Sequence, residues 1–291
     1  MFHGSIVAIV TPMDEQGYID KASLADLIEM HIEAGTDGIV VMGTTGEAPT
    51  LTEAEQNDLI NFTVKKVAGR VPVIAGTGTN STAKTIKQTK EAMSLGVDGC
   101  LVVVPYYNKP TQEGMYQHFK AVADQAPLPI MMYNIPGRTG ADMRAETVAR
   151  LANIPNIVAI KEATGQVSRV KEIIELTGSK IDVLSGDDGP AIDMMMVGAK
   201  GVVSVTANIA PKLMHEICIA ALKGDEQTAR SLNESLLGLH QKLFVETNPI
   251  PVKWALYKMG RIRAGIRLPL TWLSESAQPE VETALKSAGL I

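Results

Sequence analysis

Cysteine is scarce in this sequence, and histidine is too dispersed to suggest a metal site. The only two cysteines, Cys100 and Cys218, are far apart and belong to no C-x-x-C pair. The five histidines show neither H-x-H nor H-E-x-x-H spacing. We therefore expect no disulfide framework and no metal site, and the cysteine usage suits a reducing, cytoplasmic setting.

The sequence also lacks an excess of charge of one sign and any long apolar run. Lys and Arg number 27 against 32 Asp and Glu, a net charge of -5, whereas nucleic-acid binding usually leaves a basic footprint. The one basic group, Lys258, Arg261, Arg263 and Arg267, is interpreted as a solvated face or helix end. Because the early apolar run Ile6–Val10 is too short for a signal-peptide core or a membrane span, we expect a soluble protein without nucleic-acid or membrane partners.

Aromatic residues make up only 4% of the chain, but hydrophobic residues make up 45%, and many of them lie in eight short runs. Most of these runs are continuous in Val, Ile, Leu and Met, which is typical of parallel strands buried on both faces. The eight runs are Ser5–Val10, Gly38–Met42, Val71–Ala75, Gly99–Val104, Pro129–Tyr133, Ile157–Lys161, Ile181–Ser185 and Gly201–Val205.

Amphipathic stretches of helical length alternate with these runs, and one of them opens with the capping box Thr52-x-x-Glu55. Eight strand–helix repeats predict an α/β fold, a (β/α)8 TIM barrel over residues 1–224; a doubly wound sheet is the alternative. Residues 225–291 are predicted to form a C-terminal helical extension. Its expected helices are Glu226–Glu246, Pro251–Met259 and Pro279–Ala288.

Lys161 is the first candidate catalytic residue, because active sites of such barrels lie at the C-terminal strand ends. It directly follows the apolar run Ile157–Ile160. Burial lowers the pKa of an ammonium group, and a neutral lysine amine can condense with a carbonyl. The alternatives are a lysine that reaches the rim or pairs with Glu162.

Tyrosines form a second group of candidates, since three of the six follow strands: Tyr106, Tyr107 and Tyr133. A buried phenol needs a hydrogen-bond partner and can transfer a proton. Tyr133 ends the strand before that of Lys161, which favours a functional interpretation. For Tyr106, packing at the rim or a subunit contact is the favoured interpretation.

Two further strand ends offer groups that suit a carboxylate. Thr44 and Thr45 stand between two glycines, in a turn whose N–H groups could form an anion-binding concavity. Arg138 follows a Pro-Gly turn, and a guanidinium suits bidentate carboxylate recognition. The alternative for Thr44 and Thr45 is a plain turn, and the alternative for Arg138 is a surface salt bridge. Asp187 and Asp188, at another strand end, are interpreted as turn and helix-capping residues.

Four segments at successive strand ends together resemble the dihydrodipicolinate synthase family, and the resemblance covers essentially the whole chain. The segments are Gly43-Thr44-Thr45-Gly46-Glu47, Pro105-Tyr106-Tyr107-Asn108-Lys109-Pro110, Tyr133-Asn134-Ile135-Pro136-Gly137-Arg138-Thr139 and Ile160-Lys161-Glu162-Ala163. Each segment is modest alone, but in this order they are specific for the superfamily.

The resemblance implies that Lys161 condenses with pyruvate and that the product attacks L-aspartate 4-semialdehyde, in diaminopimelate and lysine biosynthesis. It implies a proton relay of Tyr133, Thr44 and Tyr107, the last from a neighbouring subunit of a homotetramer built from two tight dimers. The implied substrate-binding residues are Thr45, Arg138, Gly186 and Val203. No metal or organic cofactor is expected, because the lysine amine forms the covalent intermediate.

The main alternative is an N-acetylneuraminate lyase or another sugar-acid aldolase on the same barrel, and a non-catalytic binding barrel is a third hypothesis. Arg138 and the Tyr106-Tyr107 pair favour the synthase. The resemblance also implies a lysine-binding regulatory site near Pro49, Glu53, Gln56, Asn80, Lys84 and Tyr106. Since Lys84 would place a like charge beside the ammonium of the ligand, we expect weak or absent inhibition by lysine.

Overall fold

Eight parallel strands close into a barrel in the computed structural model, which describes residues 1–291. Each strand pairs with the next along the chain, and the last pairs with the first. The strands are β1 (Gly4–Ala8), β2 (Gly38–Val41), β3 (Val73–Gly76), β4 (Gly99–Val103), β5 (Ile130–Asn134), β6 (Ile157–Glu162), β7 (Asp182–Ser185) and β8 (Gly201–Ser204). The predicted runs agree with these bounds to within two residues at each end, so the (β/α)8 barrel is confirmed and the doubly wound sheet is excluded.

Helices follow the strands and surround the barrel. They are α1 (Lys21–Glu33), α2 (Glu53–Val67), α3 (Thr82–Ser94), α4 (Gln112–Gln125), α5 (Pro136–Thr139), α6 (Ala145–Leu151), α7 (Val167–Thr177), α8 (Ala191–Met196) and α9 (Pro211–Leu222). The capping box is present at α2, where the Glu55 N–H donates to the Thr52 hydroxyl at 3.3 Å and the Thr52 N–H donates to the Glu55 carboxylate at 2.8 Å.

The C-terminal extension is helical, but one prediction within it is wrong. The predicted helix Glu226–Glu246 is divided into α10 (Glu226–Asn233), a 3-10 turn and α11 (Leu237–Lys242). The interruption is the 3-10 segment Glu234–Leu236, and the side chains of Asn233 and His240 on either side of it lie 2.9 Å apart. The remaining helices, α12 (Ile250–Lys258) and α13 (Gln278–Ser287), lie where expected.

The apolar core has two parts, one between the barrel and its helices and one inside the barrel. The outer cluster of 70 buried residues continues into the extension, where it includes Leu236, Trp254 and Leu285. The inner cluster of 11 contains Ala159 and Tyr133. Because strand residues alternate between faces, Ala159 and Lys161 share the interior side of β6. No helix in this structure combines the length and the apolar character that a membrane span requires.

Candidate active site at the C-terminal strand ends

Lys161 lies inside the barrel opposite Tyr133, its register partner on the adjacent strand β5. Only 6% of the lysine surface is exposed, and its Nζ lies 4.3 Å from the centroid of the Tyr133 ring. Burial lowers the pKa of the Lys161 amine to about 8, although the nearby carboxylates of Asp187 and Asp188 oppose this shift. A substantial fraction of the amine is therefore neutral and nucleophilic near neutral pH.

Glu162 is not the partner of Lys161, which excludes the ion pair that the sequence left open as an alternative role for this lysine. The fully buried Glu162 carboxylate accepts hydrogen bonds from Asn134 Nδ2 at 3.1 Å and from the Thr164 N–H at 2.9 Å. These partners satisfy Glu162 on the outward side of β6, because adjacent strand residues point to opposite faces.

A small inner cavity of about 40 Å³ contains Lys161 and opens beside a larger outer cavity of about 490 Å³. The two cavities share six lining residues: Gly43, Thr44, Leu101, Tyr133, Ile135 and Arg138. A small ligand bound in the outer cavity would thus reach the lysine past Thr44, Tyr133 and Arg138.

Tyr133 carries a phenol that stays protonated at neutral pH. Burial raises the pKa of this phenol, and the charge of Arg138 and an interaction with the Thr44 hydroxyl oppose the rise. A protonated phenol can donate a hydrogen bond or a proton to a group formed beside it. Tyr133 and Thr44 therefore form a pair able to pass a proton at the boundary of the two cavities.

The turn that carries Thr44 and Thr45 contains two backbone N–H groups without a backbone acceptor. It is shaped by Met42 and Glu47, whose φ angles of 64° and 57° lie in the left-handed region. Neither the Thr44 nor the Thr45 N–H donates to a backbone carbonyl. Thr45 is buried, and its hydroxyl accepts a 3.0 Å hydrogen bond from Asn248 Nδ2. Successive free N–H groups beside a hydroxyl make a suitable carboxylate site.

Arg138 lies on the short helix α5 and lines both cavities. Its Nη2 donates to the backbone carbonyl of Asn248 at 3.0 Å. This is its one side-chain hydrogen bond within the chain, so further N–H groups of the guanidinium are available to a bound carboxylate.

Gly186 and its neighbours complete the inner cavity at the end of β7. A Cβ atom at Gly186 would lie 2.5 Å from the Cβ of Ala163, so only glycine permits this approach to the end of β6. Asp187 also lines the inner cavity, and burial raises the pKa of its carboxyl while Lys161 lowers it. Asp188 instead accepts the backbone N–H groups of Val205 and Thr206, just after β8, at 3.0 and 2.9 Å. The predicted helix-capping role is wrong, because no side chain caps the start of the following helix α8.

Val203 and Tyr107 do not join the other candidates in the single chain. Val203 is fully buried in the inner apolar cluster, and Val205 lines the cavity in its place. The Tyr107 side chain is 87% exposed, and its backbone has the left-handed φ of 72°. The phenol of Tyr107 therefore faces outward rather than toward Lys161.

The outer cavity contains five of the six residues expected at a regulatory site, namely Pro49, Gln56, Asn80, Lys84 and Tyr106. Glu53 does not line it and instead forms an ion pair with Lys87. The Gln56 amide donates to the carbonyls of Ala48 and Leu51, each at 3.1 Å. Lys84 is thus the only charged side chain among these five.

Sequence reasoning missed the contribution of the C-terminal extension to this site. Phe244 and Asn248 line the inner cavity, and Asn248 bridges Thr45 and Arg138. The Asn-Pro step at 248–249 signals a turn, but it does not indicate where that turn packs. No group of three or more His, Cys, Asp or Glu side chains is arranged to hold a metal ion.

Comparison with known proteins identifies the family. The model of the dihydrodipicolinate synthetase family matches residues 1–288. The curated 4-hydroxy-tetrahydrodipicolinate synthase of Marinobacter nauticus is 58% identical, with all of both chains covered. The crystal structure of the chloride-inhibited dihydrodipicolinate synthase from Acinetobacter baumannii, complexed with pyruvate, is 54% identical with a TM-score of 0.99 over all of both chains.

A further solved structure, the dihydrodipicolinate synthase from Aquifex aeolicus, is 48% identical with a TM-score of 0.97 over 99% of each chain. These relatives are enzymes, and they do not favour the alternative of an N-acetylneuraminate lyase. The match over the whole length, together with the strand-end lysine, shows that this chain belongs to the dihydrodipicolinate synthetase family.

Proposed function

We propose that this protein condenses pyruvate with L-aspartate 4-semialdehyde to form 4-hydroxy-tetrahydrodipicolinate, a step of diaminopimelate and lysine biosynthesis. The observation that carries the proposal is the buried Lys161, whose pKa of about 8 makes its amine available at the boundary with Tyr133 and Thr44. The family membership supports the same reaction.

The first step joins Lys161 to the ketone carbon of pyruvate and releases water, giving a protonated Schiff base. The Thr44-Thr45 turn would hold the pyruvate carboxylate with its free N–H groups, and Gly186 lines the inner cavity together with the lysine. Loss of a methyl proton then gives the enamine nucleophile.

The second step forms a carbon–carbon bond between the enamine and the aldehyde carbon of the semialdehyde. Arg138 would bind the carboxylate of this substrate, because its guanidinium keeps free donors in the shared part of the two cavities. The aldehyde oxygen takes up a proton through Tyr133 and Thr44. Attack of the substrate amino group on the Schiff-base carbon closes the ring and releases Lys161.

Tyr107 would complete the proton relay from a neighbouring subunit. Its exposed side chain and strained left-handed backbone support a contact that the single chain lacks, since such strain often marks a functional position. The expected assembly is a homotetramer of two tight dimers in the cytoplasm. Sedimentation of the purified protein tests the assembly, and Tyr107→Phe tests the relay by a lower kcat.

A paired assay tests the proposed reaction. We expect turnover of pyruvate with aspartate semialdehyde and no cleavage of N-acetylneuraminate. Activity on the sugar acid alone would overturn the assignment, and failure of pyruvate with borohydride to leave a covalent adduct would support a binding protein instead.

A further inference from the structure

The turn that carries Thr44 and Thr45 is fastened to the C-terminal extension by a buried ion pair. Lys253, on α12, donates to Glu47 at the end of that turn, and both side chains are 0% exposed. The second carboxylate oxygen of Glu47 accepts the backbone N–H of Arg267 at 3.1 Å. Burial lowers the pKa of Lys253, and the charge of Glu47 opposes that shift.

Stability alone does not account for a charge pair in this position. Removal of two charges from water costs several kcal/mol per ion, and an apolar pair of similar volume is often as stable or more so. Glu47 also adopts a left-handed backbone with φ of 57°, which is unfavourable for a residue with a side chain. The desolvation and the strain are both concentrated at the residue that ends the Thr44-Thr45 turn.

Further contacts join the same two segments. Asn248, just before α12, donates to the Thr45 hydroxyl at 3.0 Å and accepts from Arg138 at 3.0 Å. Arg267 donates to the Thr50 carbonyl at 3.0 Å and forms a bidentate pair with Glu55 at 2.6 and 2.9 Å. Arg267 is therefore not part of a solvated face, contrary to the interpretation from the sequence.

We propose that Glu47 and Lys253 are positioning residues that set the Thr44-Thr45 turn for binding the carboxylate of the keto acid. Neither side chain lines the inner cavity, so the pair acts through the turn and not by contact with the substrate. This inference rests on the proposed function, because it concerns the affinity of the same site for pyruvate.

A pair of variants separates positioning from simple stabilisation. Lys253→Met leaves the Glu47 carboxylate buried without its partner, and we expect a lower Tm and a KM for pyruvate raised about tenfold, the size expected for one lost hydrogen bond to a charged group. The double variant Glu47→Gln/Lys253→Met removes both charges, so the Tm should return close to that of the wild type. The KM of the double variant should stay raised about tenfold, with kcat changed far less.

Two controls complete the experiment. Lys253→Arg keeps the charge and should bring the KM back toward the wild-type value. Asp37→Asn removes a carboxylate that accepts the Ser5 N–H at 2.8 Å beside the start of β1; it should lower the Tm and leave the KM for pyruvate unchanged.

The outcomes distinguish the two proposals. A KM that returns to the wild-type value together with the Tm in the double variant would overturn the positioning role, and so would a KM unchanged in every variant. If Lys253→Met does not fold, the double variant and Lys253→Arg decide the question. A wild-type protein that forms no adduct with pyruvate and borohydride would refute the proposed function itself, and the positioning role with it.

Discussion

The amine of Lys161 lies 4.3 Å from the centroid of the Tyr133 ring, and the two residues are register partners on adjacent strands. The parallel pairing of β5 and β6 thus fixes a nucleophile beside a proton donor without help from a loop. Because both side chains are at least nine-tenths buried, water does not compete freely for either group. This arrangement makes separate predictions for the two residues.

Tyr133→Phe should keep the adduct and lose most of the turnover. The variant retains the ring that packs beside Lys161 but lacks the hydroxyl, and loss of general acid–base catalysis typically costs about 10²-fold or more. Steady-state kcat and borohydride trapping with pyruvate check this prediction. Tyr116→Phe, on α4 under the Arg150 guanidinium, is the matched control and should behave as the wild type. An unchanged kcat in Tyr133→Phe would contradict the proton-transfer role.

The rate of adduct formation should rise with pH through about 8, since that is where Lys161 loses its proton. A lysine with an ordinary pKa of about 10.4 would have well under one per cent of neutral amine at that pH. Asp187 raises the pKa of Lys161, so Asp187→Asn should move this midpoint to lower pH. Trapping rates measured between pH 6 and about 10 test both statements, and a midpoint that moves upward in Asp187→Asn would contradict the electrostatic account.

Gly186→Ala should destabilise the protein and weaken pyruvate binding. The added Cβ would lie 2.5 Å from the Ala163 Cβ, and overpacking of this kind costs about 1–3 kcal/mol. Gly189→Ala is the matched control three residues away, because nothing lies within 4 Å of a Cβ added there. Thermal unfolding of the two variants gives the comparison, and equal Tm values would show that the approach of β7 to β6 is not tight.

Lysine should inhibit this protein weakly or not at all. The outer cavity presents Lys84 as a cation, and it would repel the ammonium groups of the ligand. Initial rates at increasing lysine concentration test this directly. Half-inhibition at sub-millimolar lysine would contradict the prediction. The variant Lys84→Glu should be more sensitive to inhibition by lysine than the wild type.

The barrel and the positions of Lys161 and Tyr133 were predictable because a strand end determines where its last residue lies. Parallel strands in a closed barrel bring all their C-terminal ends to one rim, so local patterns in the sequence report on that rim. The continuous apolar runs indicated the strands, and the residues that follow them indicated the candidates Thr44 and Arg138, whereas Gly186 was implied only by the family resemblance.

The roles of Asn248 and Lys253 were not predictable in the same way. Each contacts a residue more than 200 positions earlier in the chain, with separations of 203 between Asn248 and Thr45 and 206 between Lys253 and Glu47. Such contacts depend on where the extension folds back, which its helical periodicity does not encode. The sequence also did not predict the position of Asp187. It was interpreted as a turn residue like Asp188, but the direction of β7 places it in the lining of the inner cavity.

The most direct test of the account is the trapping of the pyruvate adduct followed by peptide mass analysis. We predict that borohydride with pyruvate modifies the wild-type protein at Lys161 alone, that the adduct is absent in Lys161→Ala, and that condensation activity is lost with it. A reduced pyruvyl group on another lysine, or a Lys161→Ala protein that keeps most of its activity, would contradict the account.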